Sequence, residues 1–217
     1  MVTAHSLLRY FPPSSKEHRR DVICALLNSA GVTPRVEAFK YGYNVYADVA
    51  GGGTQAVSAH YDTANTSSEN CQDNTASICH MLALAHAGVP CHLAFTDNEE
   101  HCNYDISGSK FYADGIPAHI KFTYCLELTA IGDAVWVDAD LLEGVVAHKR
   151  CCPLNDAVFM RRSSVLAACV GILPRGMVAS PYPHEWSICH SAHDTHDRAV
   201  PADMQAFTEY MTRAVCS

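Results

Sequence analysis

The chain has 217 residues, with 23 acidic against 15 basic side chains and a formal charge of −8, which argues against a nucleic-acid or anionic-membrane partner, since either would want a basic face. Its 48% hydrophobic and 18% charged content is that of a globular protein, and a single domain over 1–217, burying roughly 70% of the unfolded surface, is expected at this length. The longest apolar run, 165–173, is nine residues and too short to cross a bilayer; the opening MVTAHSLLRYFPP lacks the charged and apolar regions of a signal peptide.

In chain order, Pro12-Pro13-Ser14-Ser15 precedes a helix in which Ser14 and Glu17 fit a capping box and Gly31 provides the stop near residue 30. Residues 44–49 alternate as a strand does, and Gly51-Gly52-Gly53 turns the chain into a second strand over 55–59. Helical periodicity covers 76–87 and ends at Gly88. Residues 91–96 read as a buried strand, followed by polar Asp97-Asn98-Glu99-Glu100. A short helix is expected over 109–113, strands over 122–128 and 165–173, and a closing helix over 201–215 with proline in its first turn. Strands alternating with helices predict an α/β sandwich, a mixed sheet with helices on both faces. Ligands of such sheets gather at the carboxyl ends of the strands.

Two counts stand out, 11 Cys and 13 His. The cysteine number is odd, no pair has C-x-x-C spacing, and Cys151 and Cys152 are adjacent. A disulfide framework uses even sets in shorter chains. The thiols are therefore read as reduced, small core residues and the compartment as cytoplasmic.

The acids and imidazoles follow the strands. His60-Tyr61-Asp62 comes after the second strand, Asp73-Asn74 stands at the mouth of a helix, and Glu99-Glu100 follows the next strand. Glu127 lies inside the end of another, and His190-Ser191-Ala192-His193-Asp194-Thr195 falls near the C-terminus. Such a mixture of nitrogen and oxygen donors suits zinc or a similar divalent ion. Taken singly, a His-x-Asp pair or a Glu-Glu turn is ordinary surface chemistry. Glu127 in an apolar strand needs a cation or hydrogen bonds, which a structural salt bridge would also satisfy. Gly51, Gly53 and Ala56 match G-x-G-x-x-A, but a strand follows instead of a helix, so no dinucleotide site is read there.

Together these segments resemble the co-catalytic zinc exopeptidases of metallopeptidase family 28, whose relatives include glutaminyl cyclases. Asn44-Val45 fits the family's early strand. Ser58-Ala59-His60-Tyr61-Asp62-Thr63 is similar to its "AHYDT" segment, and Gln72-Asp73-Asn74-Thr75-Ala76-Ser77 to its "DDNASG". Asp97-Asn98-Glu99-Glu100 with Gly108-Ser109 resembles "D-x-E-E…GS". Leu126-Glu127-Leu128 stands at "LDM", and the run from His190 to Thr195 at "HTxxDT". The resemblance covers about residues 19–214. It implies a three-layer sandwich with a mostly parallel central sheet and two zinc ions, or one. Asp73 would bridge them, Glu100 and His190 would complete one site, and His60 and Glu127 the other. It also implies Glu99 as general base and Asp62 as the partner that orients His60. Elementary chemistry agrees: of two adjacent glutamates, one can hold metal while its neighbour moves a proton.

His193 is the alternative to His190 as a ligand. His196 is read as a loop cap or exposed, His80 and His86 as structural, and His184 and Trp186 as pocket-lining or ordinary loop residues. Tyr61 and Cys71 are candidates by position only.

Three departures mark a divergent member. Glu127 replaces Asp, Cys71-Gln72 replaces acidic or small residues, and Ile78 replaces a glycine. The short chain also leaves no room for a lid domain, so an open site is expected. The implied activity is release of an N-terminal residue from a peptide or aminoacyl substrate, without nucleic-acid or membrane partners. The alternatives are a single-zinc glutaminyl-cyclase-like transferase and a carboxypeptidase or amidase, which would draw on Arg161, Arg162 or Arg175. A non-catalytic binding relative is the third class.

Overall fold

A computed structural model of the chain describes residues 2–137, 146–147, 155–176 and 187–217. The strands are β1 (Arg35–Phe39), β2 (Gly42–Val49), β3 (Gln55–His60), β4 (Cys91–Thr96), β5 (Phe122–Leu126), β6 (Ala134–Val137), β7 (Val146–Ala147) and β8 (Ala167–Leu173). They form one mixed sheet in the order β1-β2-β4-β3-β5-β8-β6-β7. Its centre, β4-β3-β5-β8, is parallel throughout. The helices are α1 (Ala4–Leu7), α2 (Lys16–Ser29), α3 (Ala76–His86), α4 (Gly108–Asp114), α5 (Asp156–Arg162) and α6 (Pro201–Cys216).

The period-two pleat sorts side chains into two cores. Val57 and Ala59 of β3, Leu93 and Phe95 of β4, and Val170 and Ile172 of β8 face a core completed by α1, α2, α3 and α6. Ala56, Ala94, Cys169 and Leu173 face the opposite core, with Tyr112 of α4 and Ala157 and Met160 of α5. Helices therefore cover both faces, the three-layer α/β sandwich expected. β3 and β4 are buried almost throughout for that reason. So is α3, buried from Ala76 to Ala85; Ile78 is part of that core.

The element boundaries correct the sequence reading in three places. Ser15 caps α2, its Oγ accepting the His18 N–H at 3.3 Å, while Ser14 donates to the Pro12 carbonyl. Ser14 stands one residue too early to reach the third helical amide. β5 ends at Leu126, so Glu127 lies just past the strand: its N–H still bonds Val170 O, but Leu128 at φ 54 ends the extended run. β8 starts at Ala167, because Ser164 at φ 65 turns the chain out of α5 first.

The topology creates the crevice. β3 and β4 are linked through α3 on one face, and β4 and β5 through α4 on the other. β4 and β5 flank β3 on opposite sides. The register aligns their ends, with His60 opposite Thr96 and Ser58 opposite Cys125. The residues that follow β3, β4 and β5 therefore emerge side by side where the connections diverge, the position at which open α/β sheets bind ligands. Among the described residues no helix is long and apolar enough to cross a membrane. The nine described cysteines are unbridged and six are buried; Cys151 and Cys152 lie outside the described residues.

Candidate metal centre

Three strand ends and two loops supply the centre. His60 closes β3, and Asp62 follows it. The Asp62 carboxylate accepts the backbone N–H groups of Glu99 and Glu100, at 3.2 Å each. Asp62 also lies against His60 Nδ1, through its carbonyl at 3.2 Å and its carboxylate at 3.4 Å. One carboxylate thus ties the end of β3 to the turn after β4. Lys16 secures the same turn, donating to Asp97 at 3.1 Å and to Asn98 at 2.9 Å.

Asp73 sits in a tight turn over Cys71–Thr75 with non-helical backbone at Asp73 and Asn74, entered through left-handed Asn70. Its backbone is held by Asp194, whose two carboxylate oxygens accept Gln72 N–H at 2.8 Å and Asp73 N–H at 3.2 Å. Asn74 donates to Leu126 O and to Glu127 Oε2, at 2.8 and 3.0 Å, and so ties this turn to the end of β5. His190, Asn98 and Leu128, each in or beside the cluster, have positive φ, the kind of backbone strain that persists only where surrounding contacts enforce it.

The two oxygens of Asp73 face two different imidazoles. Oδ1 lies 3.0 Å from His60 Nε2 and Oδ2 lies 2.9 Å from His190 Nε2. On the inner side, Glu127 Oε2 is 3.7 Å and Glu99 Oε2 4.0 Å from His60 Nε2. On the outer side, Glu100 Oε2 is 3.0 Å from His190 Nε2. The inner half is closed to solvent, whereas the His190 side chain is 50% exposed. The sequence expectation of an open site holds at His190; His184 and Trp186 lie outside the described residues.

The electrostatics call for cations. Burial raises the Glu99 carboxyl well above its usual range, lifts Glu127 to about 8, and raises Glu100. Asp73 departs the other way. Burial would raise it, but His190 and His60 together hold it below its ordinary value. The imidazoles take up protons in turn: Asp73 and Glu100 lift His190 to about 11. His60 rises because Asp62, Asp73 and Glu127 outweigh its burial. Divalent ions would replace those protons.

The donor set fits a divalent ion. His60, Asp73 and Glu100 each offer a ligand atom within 4.8 Å of one another, and the buried Glu100 Oε1 has no hydrogen-bond partner. With Nδ1 of His60 held by Asp62, Nε2 is the nitrogen free to ligate.

All seven residues singled out from the sequence, His60, Asp62, Asp73, Glu99, Glu100, Glu127 and His190, meet in this one cluster. His193 is exposed and donates its backbone N–H to Ser191, so the structure places His190, not His193, against Asp73. His196 pairs with Glu69. His80 is buried in α3 between Thr129 O and Thr208. Tyr61 donates to the Tyr43 carbonyl at 2.5 Å.

Two acids escaped the sequence reading in role. Asp194 belongs to the quoted closing motif, but its grip on the Asp73 turn depends on a contact across 121 residues. Asp156, at the start of α5, is buried with Oδ2 accepting from Thr96 at 2.6 Å, and its charge adds to the burial that raises Glu99 and Glu127. No local pattern marks it.

No protein-family model and no curated protein matches the chain in sequence. Solved structures do match in fold. A Zn-dependent exopeptidase from Parabacteroides distasonis superposes with a TM-score of 0.72 at 11% identity, over 98% of this chain and 96% of that one. A glutaminyl cyclase from Bacteroides thetaiotaomicron, bound to N-acetylhistamine, gives 0.71 at 12%, over 98% and 94%. The Legionella pneumophila aminopeptidase LapA gives 0.67 at 12%, over 96% and 68%. The chain therefore has the zinc-exopeptidase-like fold, the architecture these exopeptidases, aminopeptidases and glutaminyl cyclases share.

Proposed function

We propose that the protein is a metal-dependent exopeptidase, an aminopeptidase that hydrolyses the first peptide bond of its substrate with two zinc ions. The observation that carries this reading is the division of Asp73 between two imidazoles, with Glu127 and Glu99 on the inner side and Glu100 on the outer. His60, Asp73 and Glu127 would hold the inner ion, and Asp73, Glu100 and His190 the outer one.

Zinc supplies a lowered pKa for the water it binds and polarisation of the substrate carbonyl. The chain's own residues do the rest. Glu99 takes a proton from the attacking water as its oxygen joins the carbonyl carbon, then passes that proton to the leaving amine as the C–N bond breaks. Its buried, acid-rich setting raises its affinity for that proton. Asp62 keeps Glu99, Glu100 and His60 in register through its three contacts. A free terminal amine is the substrate group suited to a centre so rich in carboxylates. A cleft of about 500 Å³ beside Asp62 and Glu100, also lined by Ser15, Thr63 and Thr66, offers room for the residues that follow.

One observation favours a second reading, a glutaminyl-cyclase-like transferase with a single zinc. Among the described residues the donors within 4.8 Å of one another are His60, Asp73 and Glu100, without Glu127, which instead accepts from Asn74 at 3.0 Å. The carboxypeptidase reading has less support. Arg161 donates to Ala167 O, Arg162 lies over Phe159 and Tyr104, and Arg175 pairs with Asp133.

The test is a panel of aminoacyl 4-nitroanilides and glutaminyl peptides offered to zinc-loaded protein. Hydrolysis of several aminoacyl anilides is expected. Ammonia release from glutaminyl peptides alone would replace this reading with the cyclase, and turnover of neither would overturn both.

A further inference from the structure

Arg19 is a charged side chain at 1% exposure in the first turn of α2. Burying a guanidinium is costly unless its donors are satisfied. Its donors engage two neutral acceptors. Nε donates to Tyr61 O at 2.7 Å, and Nη2 donates to Thr75 Oγ1 at 3.0 Å. The Thr75 hydroxyl donates onward to Glu69 O at 2.8 Å. Phe11 covers the guanidinium, with its ring centroid 5.6 Å away.

These two acceptors are not arbitrary. Tyr61 stands between His60 and Asp62, and Thr75 stands two residues after Asp73. The segments come from the end of β3 and from the turn before α3, and they contribute the two halves of the closest contact in the inner site, His60 Nε2 to Asp73 Oδ1 at 3.0 Å. The planar guanidinium presents its donors in a fixed fork, so it fixes the separation of the two segments as well as holding each. Asp62, Asp73 and Glu100 are the carboxylates whose field favours its charge against burial.

We propose that Arg19 is a positioning residue for the metal centre: one guanidinium spans the His60–Asp62 and Asp73–Thr75 segments and sets the spacing of the ligands they carry. This rests on the reading of the cluster as a zinc centre. Arg19 touches neither metal nor substrate, and its effect is on metal affinity.

The experiment compares zinc affinity, by competition with a chromophoric chelator, in the full-length wild-type chain, Arg19→Lys, Thr75→Val and the double variant. Metal-free unfolding midpoints are measured in parallel. Lysine keeps the charge but not the fork, and valine keeps the shape of threonine without its hydroxyl. Arg19→Lys is expected to weaken zinc about 10–100-fold, the range for residues that orient ligands. Thr75→Val is expected to weaken it about 3–10-fold. The double variant should fall short of the product of the two, because both delete one shared contact.

A purely structural Arg19 would lower the unfolding midpoints and leave zinc affinity within twofold of wild type, which overturns the proposal. If Arg19→Lys does not fold, Thr75→Val decides: unchanged affinity overturns it. A wild-type chain that binds no zinc removes the metal reading and this inference together, whereas tight wild-type binding that the variants share removes only this inference.

Discussion

The two halves of the acidic cluster share Asp73 but differ in setting. The inner half, around His60 and Glu127, is closed off behind the ends of β3 and β5, with its imidazole oriented by Asp62 and its glutamate held by Asn74. The outer half has Glu100 on the turn after β4 and His190 on a loop, half exposed. Low dielectric strengthens every interaction in the inner half and makes an uncompensated charge there expensive. Solvent access in the outer half leaves room for a substrate to approach. Under the proposed function the halves would have separate tasks: the inner one would build a fixed electrostatic floor, and the outer one would be the side that exchanges ligands.

Variants can break that comparison at its shared element. Asp73→Ala removes a ligand from both halves, and zinc binding and turnover should disappear together in elemental analysis and rate assays. Retention of one tightly held ion would show that the halves are independent. Glu99→Gln should lower kcat about 10²–10⁴-fold, the range for a lost general base, with zinc content unchanged. Near-normal kcat would place the base elsewhere.

Asp62→Asn sharpens the inner side. It weakens the carboxylate that orients His60, and a 10–100-fold loss of zinc affinity is expected in chelator competition. The outer ion should also be released first, as a separate early phase when the loaded protein is titrated with chelator; simultaneous release would erase the distinction.

The smallest effect lies away from the cluster, at His80. Burial lowers this imidazole to about 4, against an ordinary value of 6.5. The unfolded chain therefore binds more protons between those values. Stability linked to His80 is fully present above about pH 6.5 and falls as pH drops toward 4, by about 2 kcal/mol at pH 5. His80→Gln should flatten that part of the loss in urea melts of metal-free protein at pH 7 and pH 5. An unchanged slope would show that His80 is not the group responsible.

Much of this was legible before the structure, for identifiable reasons. β3 read correctly because the Gly51–Gly53 turn leads into it, β4 because a mostly apolar stretch ends in polar residues, and α3 because Gly88 closes a long periodic stretch. The residues of the cluster were legible because His60, Glu99, Glu100 and Glu127 stand at or just after strand ends, Asp73 at a helix mouth, and His190 in a closing motif of fixed order. β1 was missed: it is an edge strand with four of five residues exposed, so no burial alternation marks it. α5, over Asp156–Arg162, was missed. Asp156, Asp194 and Arg19 were recognisable as residue types but not as parts of the centre. Their roles depend on tertiary contacts to Thr96, to the Asp73 turn, and to Tyr61 and Thr75. No local spacing encodes such contacts.

The most direct test of the two-halved centre is the number of zinc ions bound per chain, measured by equilibrium dialysis and elemental analysis after loading wild-type protein to saturation. The geometry around Asp73 predicts two. One ion per chain would contradict it, leaving Glu127 as a buried acid and the single-zinc cyclase as the better reading, and none would contradict the metal centre altogether.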